Sequence, residues 1–344
     1  MSLSRARTAK VLSTALIVAA FLAPRASQGR ALASAVPPGD GAAAIQTAQR
    51  QFNQGSYSSA ISTLQAAITQ NPSSAEAHYW MGRSYYELRD YDNAVVQLEK
   101  SIDLDAKNSV YHDWLGRAYG GKADKDRSLF DARKVKKEFQ AAVQIDPSNI
   151  AAREDLEEYC LDAPWVAGGN KDEAKAQVEA IAALDPIQGH LSRGELYEKE
   201  SKKSDLADAE YRQVLSAKPK DVDPYLDVAA FFQRQNKPSD IEGAIQSAAQ
   251  VNPNDSRLAF YRGVSRVLSN TEPARAEQYL KAYLASTPDR SDWPSHAAAR
   301  EWLGRLYEAQ GKRSEAAEQY RDALQLDPGR KQARARLEQL EKSH

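Results

Sequence analysis

The stretch HYWMGRSYYELRDYDNA, His78 to Ala94, packs one Trp and four Tyr into seventeen residues, with Arg83 and Arg89 among them. Aromatics interleaved with arginine build stacking surfaces for bases, sugars or peptides, and they equally build the inside of a helical packing unit. The spacing separates the two readings. Gly82 and Tyr85 stand three apart on one helix face, and Ala94 and Leu98 stand four apart on the next.

Outward from this stretch the same spacing returns along the chain. A proline, usually after Asp or Asn, recurs at Pro72, Pro147, Pro186, Pro219, Pro253, Pro288 and Pro328, with Ala106 in the one missing place. Twelve residues before these marks lie Ala60, Ala94, Val135, Ala174, Ala207, Ile241, Ala276 and Ala316. Four residues further on lie Leu64, Leu98, Phe139, Val178, Tyr211, Ile245, Leu280 and Tyr320. Such i, i+4 pairs share one helix face, and the proline then ends that helix. A preceding helix carries a small residue and, three on, an aromatic: Gly82 and Tyr85, Gly116 and Tyr119, Gly194 and Tyr197, Ala229 and Phe232, Gly304 and Tyr307. Glycine inside a helix costs about 1 kcal/mol against Ala, so close packing is its expected compensation.

With these residues in view, YWMGRSYYELRDYDNAVVQLEKSI and EWLGRLYEAQGKRSEAAEQYRDALQLDP resemble tetratricopeptide repeats, whose 34-residue unit runs L-G-x-x-Y, A-x-x-x-F and P. The resemblance implies an all-α helix-turn-helix solenoid, a right-handed superhelix of about eight units. The expected repeats are 41–74, 75–108, 109–149, 150–188, 189–221, 222–255, 256–290 and 297–330. Residues 331–344 are expected to form a capping helix and tail, covering the last open face. Glu157 and Cys160 stand where the fourth unit should carry Gly and Tyr. Longer Gly-to-Ala steps place insertions in two intra-unit turns, GGKADKDRSLFD of the third unit and APWVAGGN of the fourth.

The chain begins with Arg5, Arg7 and Lys10, then the uncharged run VLSTALIVAAFL (Val11 to Leu22), then ALASA. This reads as an export signal over residues 1–35, or as an N-terminal anchor if uncleaved, followed by a linker at 36–40. The run is too short for a comfortable membrane span of about 20 residues. Export would place the protein in a periplasm or outside the cell. The mature chain would carry 41 basic and 47 acidic residues, a net charge of −6 that opposes generic binding to nucleic acid. Cys160 is the only cysteine, so no internal disulfide forms, and it reads as a small buried hydrophobe.

By resemblance, the first helices line a concave groove that holds a peptide or partner segment. The groove-facing positions of the second unit are Glu76, Tyr79, Arg83, Tyr86 and Glu87; those of the third are Val110, Asp113, Arg117, Gly120 and Gly121. Tyr79, Arg83, Tyr86, Asp113 and Arg117 are the candidate contacts, with Arg305 matching Arg83 and Arg117 in the eighth unit. An arginine beside a tyrosine grips a carboxylate while the ring covers apolar surface; the plainer alternative is pairing with Glu76, Glu87 or Asp113. The Lys and Asn that a well-known subgroup uses to grip a C-terminal carboxylate are absent, since Ile45, Tyr79, Gln49 and Arg83 stand there. The loop Pro164, Trp165, Gly168, Gly169 is a second candidate contact, although Trp165 reads first as a pin holding the loop to the fourth unit.

No phosphate loop, His-Glu-x-x-His or Gly-x-Ser-x-Gly motif occurs. His78 and His112 stand 34 apart without further ligands, which reads as half-buried packing rather than metal. The reading is therefore a non-catalytic exported scaffold for a protein or peptide partner, in envelope assembly or transport. It calls for no cofactor and no metal. The alternative is a carrier of a small or lipophilic ligand for a periplasmic transport system.

Overall fold

The computed structural model describes residues 41–200, 203–286 and 288–342, so the export-signal and linker expectations lie outside the described residues. These residues form seventeen α-helices and no strand. They fall into two compact parts, divided between Gln177 and Val178. The N-terminal part holds α1 (Gly41–Asn53), α2 (Tyr57–Gln70), α3 (Ala75–Glu87), α4 (Tyr91–Leu104), α5 (Ser109–Asp126), α6 (Leu129–Ile145) and α7 (Ile150–Asp162). A 3-10 turn, Trp165–Ala167, follows, and then α8 (Lys171–Leu184), which contains the division. The C-terminal part continues with α9 (Pro186–Lys199), α10 (Ser204–Ala217), α11 (Asp223–Arg234), α12 (Pro238–Val251) and α13 (Arg257–Ser269). It ends with α14 (Pro273–Ser286), α15 (His296–Ala309), α16 (Arg313–Leu326) and α17 (Lys331–Lys342). The fold is an all-α solenoid of helix pairs.

All sixteen residues of the proline-anchored pattern are core, none more than 5% exposed. They meet the small residues of the paired helix. A Cβ added to Gly82 would lie 2.6 Å from Leu98, one on Gly116 2.4 Å from Phe139, and one on Gly304 2.5 Å from Tyr320. The space left by each glycine is thus filled from the second helix of the pair. Gly263 against Leu280, at 2.6 Å, does the same in the seventh repeat, where the sequence pattern offers no aromatic because Arg266 stands three on.

The recurring Asp or Asn before the mark explains how the helices stop. Oδ1 of Asn71, Asp105, Asp146, Asn252 and Asp327 each accepts the backbone N–H two residues on, at 2.9–3.2 Å. This side-chain turn ends the helix without needing proline, so Ala106 serves in its place. A second device is invisible as a residue pattern. The side chain six residues past the mark bonds the mark's carbonyl: His78 to Pro72, His112 to Ala106, Arg153 to Pro147, Tyr225 to Pro219 and Arg334 to Pro328. The histidines complete this role through their other ring nitrogens, 2.8 Å from Gln97 and 2.7 Å from Glu138.

Two expectations need correction. The third repeat's insertion does not widen a turn; it lengthens both helices, to 18 residues in α5 and 17 in α6. Nothing in KADKD breaks a helix, and Arg127, at φ 54°, makes the left-handed reversal before the Ser128 cap. In the fourth repeat, Asp185 and Pro186 end α8 and start α9 with no loop between, so α9 begins ahead of residue 189. Proline suits the first helical position because its missing N–H would have no intrahelical partner there. At the chain's end, α17 packs on α16 through fully buried Ala333, with Arg313 donating to the Leu340 carbonyl at 2.9 Å.

Candidate functional site

In the N-terminal part, α1, α3, α5 and α7 are successive neighbours, each the first helix of its repeat. They bring Tyr79, Arg83, Tyr86, Asp113 and Arg117 into one cluster, together with Trp114 and Asp155. Arg83 lies at its floor. Its guanidinium carbon stands 4.7 Å from the Phe52 ring centre, 4.6 Å from Trp80, 4.1 Å from Trp114 and 5.6 Å from Tyr79. One terminal nitrogen donates to the Tyr79 hydroxyl at 3.3 Å, while Nε has no hydrogen-bond partner among the described residues. Four aromatic faces supply the attraction that a carboxylate would otherwise give this cation.

Next along the row, Arg117 Nε donates to Asp155 Oδ2 at 2.5 Å and stands 3.4 Å from Asp113 Oδ2. Its guanidinium also covers Trp114, at 4.8 Å. Burial pushes the Asp113 carboxyl well above the usual carboxylate range, and the neighbouring Asp155 charge pushes it further. Burial pulls Arg117 down, but Asp155 and Asp113 outweigh that and hold it above its ordinary value. Tyr86 stands edge-on to Trp114 and Tyr91, at 5.6 and 5.5 Å between ring centres. Burial, then Tyr91, holds its hydroxyl above the ordinary phenol value.

These positions divide the candidate contacts. Tyr79, Arg83 and Asp113 are only 7%, 4% and 3% exposed, so they form the floor and hold little surface for a partner. That corrects the expectation of an accessible row. Tyr86 and Arg117 are half-buried and form its accessible rim. The plainer pairing applies to Arg117 with Asp113, but the stronger partner is Asp155, on the next first helix. Arg83 is held by rings instead.

The loop after α7 is secured from beneath. Tyr159 donates to the carbonyls of Ala132 and Ala167, Lys136 to that of Gly168 at 2.7 Å, and Arg133 to that of Val166 at 3.2 Å. Pro164 contributes its carbonyl, accepting from Ala167 and Gly169. Gly168 sits at φ 107°, and a Cβ on Gly169 would lie 1.8 Å from the Ala163 carbonyl oxygen. Trp165 is 84% exposed and pins nothing, contrary to its first reading. Cys160 is 1% exposed, its thiol pushed up to about 12 by burial and the Glu173 charge. No group of three or more metal-ligating side chains assembles among the described residues.

The profile of the tetratricopeptide repeat family matches residues 45–109 and 261–331. No curated protein matches the chain. Among solved structures, the MamA protein is 18% identical, with a TM-score of 0.40 over 51% of this chain and 90% of that one. A tetratricopeptide repeat protein from Parabacteroides merdae ATCC 43184 is 13% identical, with a TM-score of 0.44 over 87% and 98%. The APC/C hetero-tetramer Cut9-Hcn1 gives 12% identity and a TM-score of 0.49 over 86% of this chain and 55% of that one.

Proposed function

We propose that this chain, a tetratricopeptide repeat protein, is a non-catalytic, exported scaffold that binds an extended protein segment along its first helices. The observation that supports this most is the layered cluster on α3, α5 and α7. Its floor of Arg83, Tyr79 and Asp113 is buried and packed, while Tyr86 and Arg117 stay half-exposed above it. A rigid base under a short aromatic and cationic rim suits peptide recognition, because little ordering is left to lose on binding. The Arg117 guanidinium keeps donors beyond its Nε bond for a carbonyl or carboxylate on the segment. Export and a role in envelope assembly or transport belong to this proposal and rest on the N-terminal sequence.

One cavity is poorly suited to a lipophilic cargo. It measures about 500 Å³ between α4, α5 and α6 and is lined by Glu99, Asp103, His112, Lys134, Lys137 and Glu138 beside Ile102, Leu115 and Tyr119. An apolar ligand there would desolvate charges without repaying them.

A photoreactive residue at Tyr86, with the same residue at exposed Asp103 as control, tests the reading in cells. Segment binding predicts one or a few discrete protein adducts at Tyr86, lost on Arg117→Gln and missing at Asp103. Equal adducts at both positions, or none at Tyr86, would overturn it.

A further inference from the structure

Arg305 and Arg336 border an open cavity of about 300 Å³ in the C-terminal part, with Val267, Glu308 and Ala309 as its other lining residues. Val267 comes from α13, Arg305, Glu308 and Ala309 from α15, and Arg336 from α17. Glu308 is already engaged: its Oε2 accepts from the Tyr320 hydroxyl at 2.8 Å and from Arg336 at 3.0 Å. Glu301, the other carboxylate acting on Arg305, is bonded by Arg330 at 2.6 Å. Arg305 lies over Trp302, its guanidinium carbon 3.9 Å from the ring centre. It makes no hydrogen bond among the described residues; only the ring and through-space charges act on it.

Arg83 is likewise held by rings, but it is sealed in the floor of its cluster, whereas Arg305 borders an open cavity; two further arginines are held by carboxylates. Arg234 holds Glu198 with two bonds of 3.0 and 2.7 Å, and Arg257 reaches Asp223 and Asp255, each at 2.7 Å. Those two are held above the ordinary arginine value, whereas burial, with the Arg336 charge, pushes Arg305 below it. A guanidinium carries five N–H donors, and leaving them unmade in a partly desolvated place is costly unless a ligand uses them.

We propose that this cavity is a carboxylate-binding pocket, in which Arg305 grips one carboxylate of a bound protein segment while Arg336 adds charge beside it. The proposal rests on the segment-binding function above and deepens it. Two guanidiniums and one carboxylate leave a net charge of +1, which one singly charged anion neutralises. A doubly charged phosphate would carry its excess charge beside Glu308, so the balance favours a carboxylate. The planar fork of Arg305 matches that group with two parallel bonds, and the Trp302 ring beside it limits its freedom to move. Val267 and Ala309 offer apolar contact to the carbons behind the charge. The cavity lies at the small end of ligand pockets, so it fits a group on a longer partner rather than a whole cofactor. A chain terminus and an Asp or Glu side chain share this chemistry.

The full chain labelled with 15N-tryptophan tests the pocket, with the Trp302 indole N–H signal identified by its loss in Trp302→Phe. Three probes are titrated: acetyl-Ala-Ala-Ala with a free C-terminus, acetyl-Ala-Glu-Ala-amide, and inorganic phosphate, against acetyl-Ala-Ala-Ala-amide as a blank. A single charge-assisted contact predicts a saturable shift in the millimolar range for at least one carboxylate peptide, and none for the blank. Which peptide wins tells a terminus from a side chain. Arg305→Gln should weaken that binding at least tenfold while the melting temperature stays within about 1 °C, since the side chain makes no hydrogen bond to lose. No shift with either peptide by ~10 mM, undiminished binding in Arg305→Gln, or tighter binding of phosphate would each overturn the pocket. The Tyr86 crosslinks report on the other part of the molecule, so they survive if only this pocket is wrong.

Discussion

Arg117 and Arg305 each follow the packing glycine of their repeat, Gly116 and Gly304, and each lies over a tryptophan three residues earlier. Their surroundings are opposite. The next first helix, α7, supplies Asp155 to Arg117 at 2.5 Å, whereas α17 supplies Arg336, a second cation, to Arg305. Repeat register therefore sets where a side chain starts and which ring it covers. The neighbouring helix sets how much of its charge is already met inside the protein. Arg83, also one residue past its glycine, is a third outcome, in which rings from α1, α3 and α5 surround the cation.

What the two regions share should give the largest effect. Gly116→Val and Gly304→Val both drive a side chain into a packed ring, Phe139 or Tyr320, and each should cost about 3 kcal/mol or more. Urea midpoints check this; a tolerated valine in one region would break the equivalence of their helix pairs. The aromatic cage comes next. Arg83→Ala should cost about 2–3 kcal/mol through lost ring contacts and the space left behind. Arg83→Met, which keeps the bulk without the charge, should fall much nearer the wild type in the same denaturation series.

A smaller, pH-dependent effect separates the regions further. Asp113 has a folded pKa above its unfolded one, so between the two values the folded state binds more protons and stability falls as pH rises. The penalty is absent below the unfolded value and complete above the raised folded one. Asp113→Asn removes it. The melting temperature of this variant minus that of the wild type should therefore grow as pH climbs from about 4 through that window. A difference that stays flat or shrinks would contradict the buried Asp113–Asp155 arrangement.

Much of this was legible in the sequence because the core repeats. The sixteen pattern residues face the same kind of neighbour in every pair, so spacing alone finds them. Asp155 was not legible as the partner of Arg117: the two are 38 residues apart, and no other repeat carries the pair in a form that spacing could reveal. The carbonyl-bonding position escapes for a related reason, since His, Arg and Tyr all fill it and only geometry unites them. Trp165 misleads in the other direction. A tryptophan in a loop suggests an anchor, but Tyr159, Lys136 and Arg133 hold this loop through backbone carbonyls and leave the ring in solvent.

The contrast between the two arginines is tested most directly by thermal melts of Arg117→Gln and Arg305→Gln in one buffer. Losing Arg117 strands Asp113 and Asp155 together, which should cost roughly 2–3 kcal/mol, less than the full penalty of a wholly buried pair. Losing Arg305 removes no hydrogen bond, and the lost Trp302 contact is offset by relief of its repulsion from Arg336, so its melting temperature should stay within about 1 °C of the wild type. Equal losses in the two variants, or a larger loss for Arg305→Gln, would contradict the division between an arginine anchored by carboxylates and one that makes no hydrogen bond within the protein.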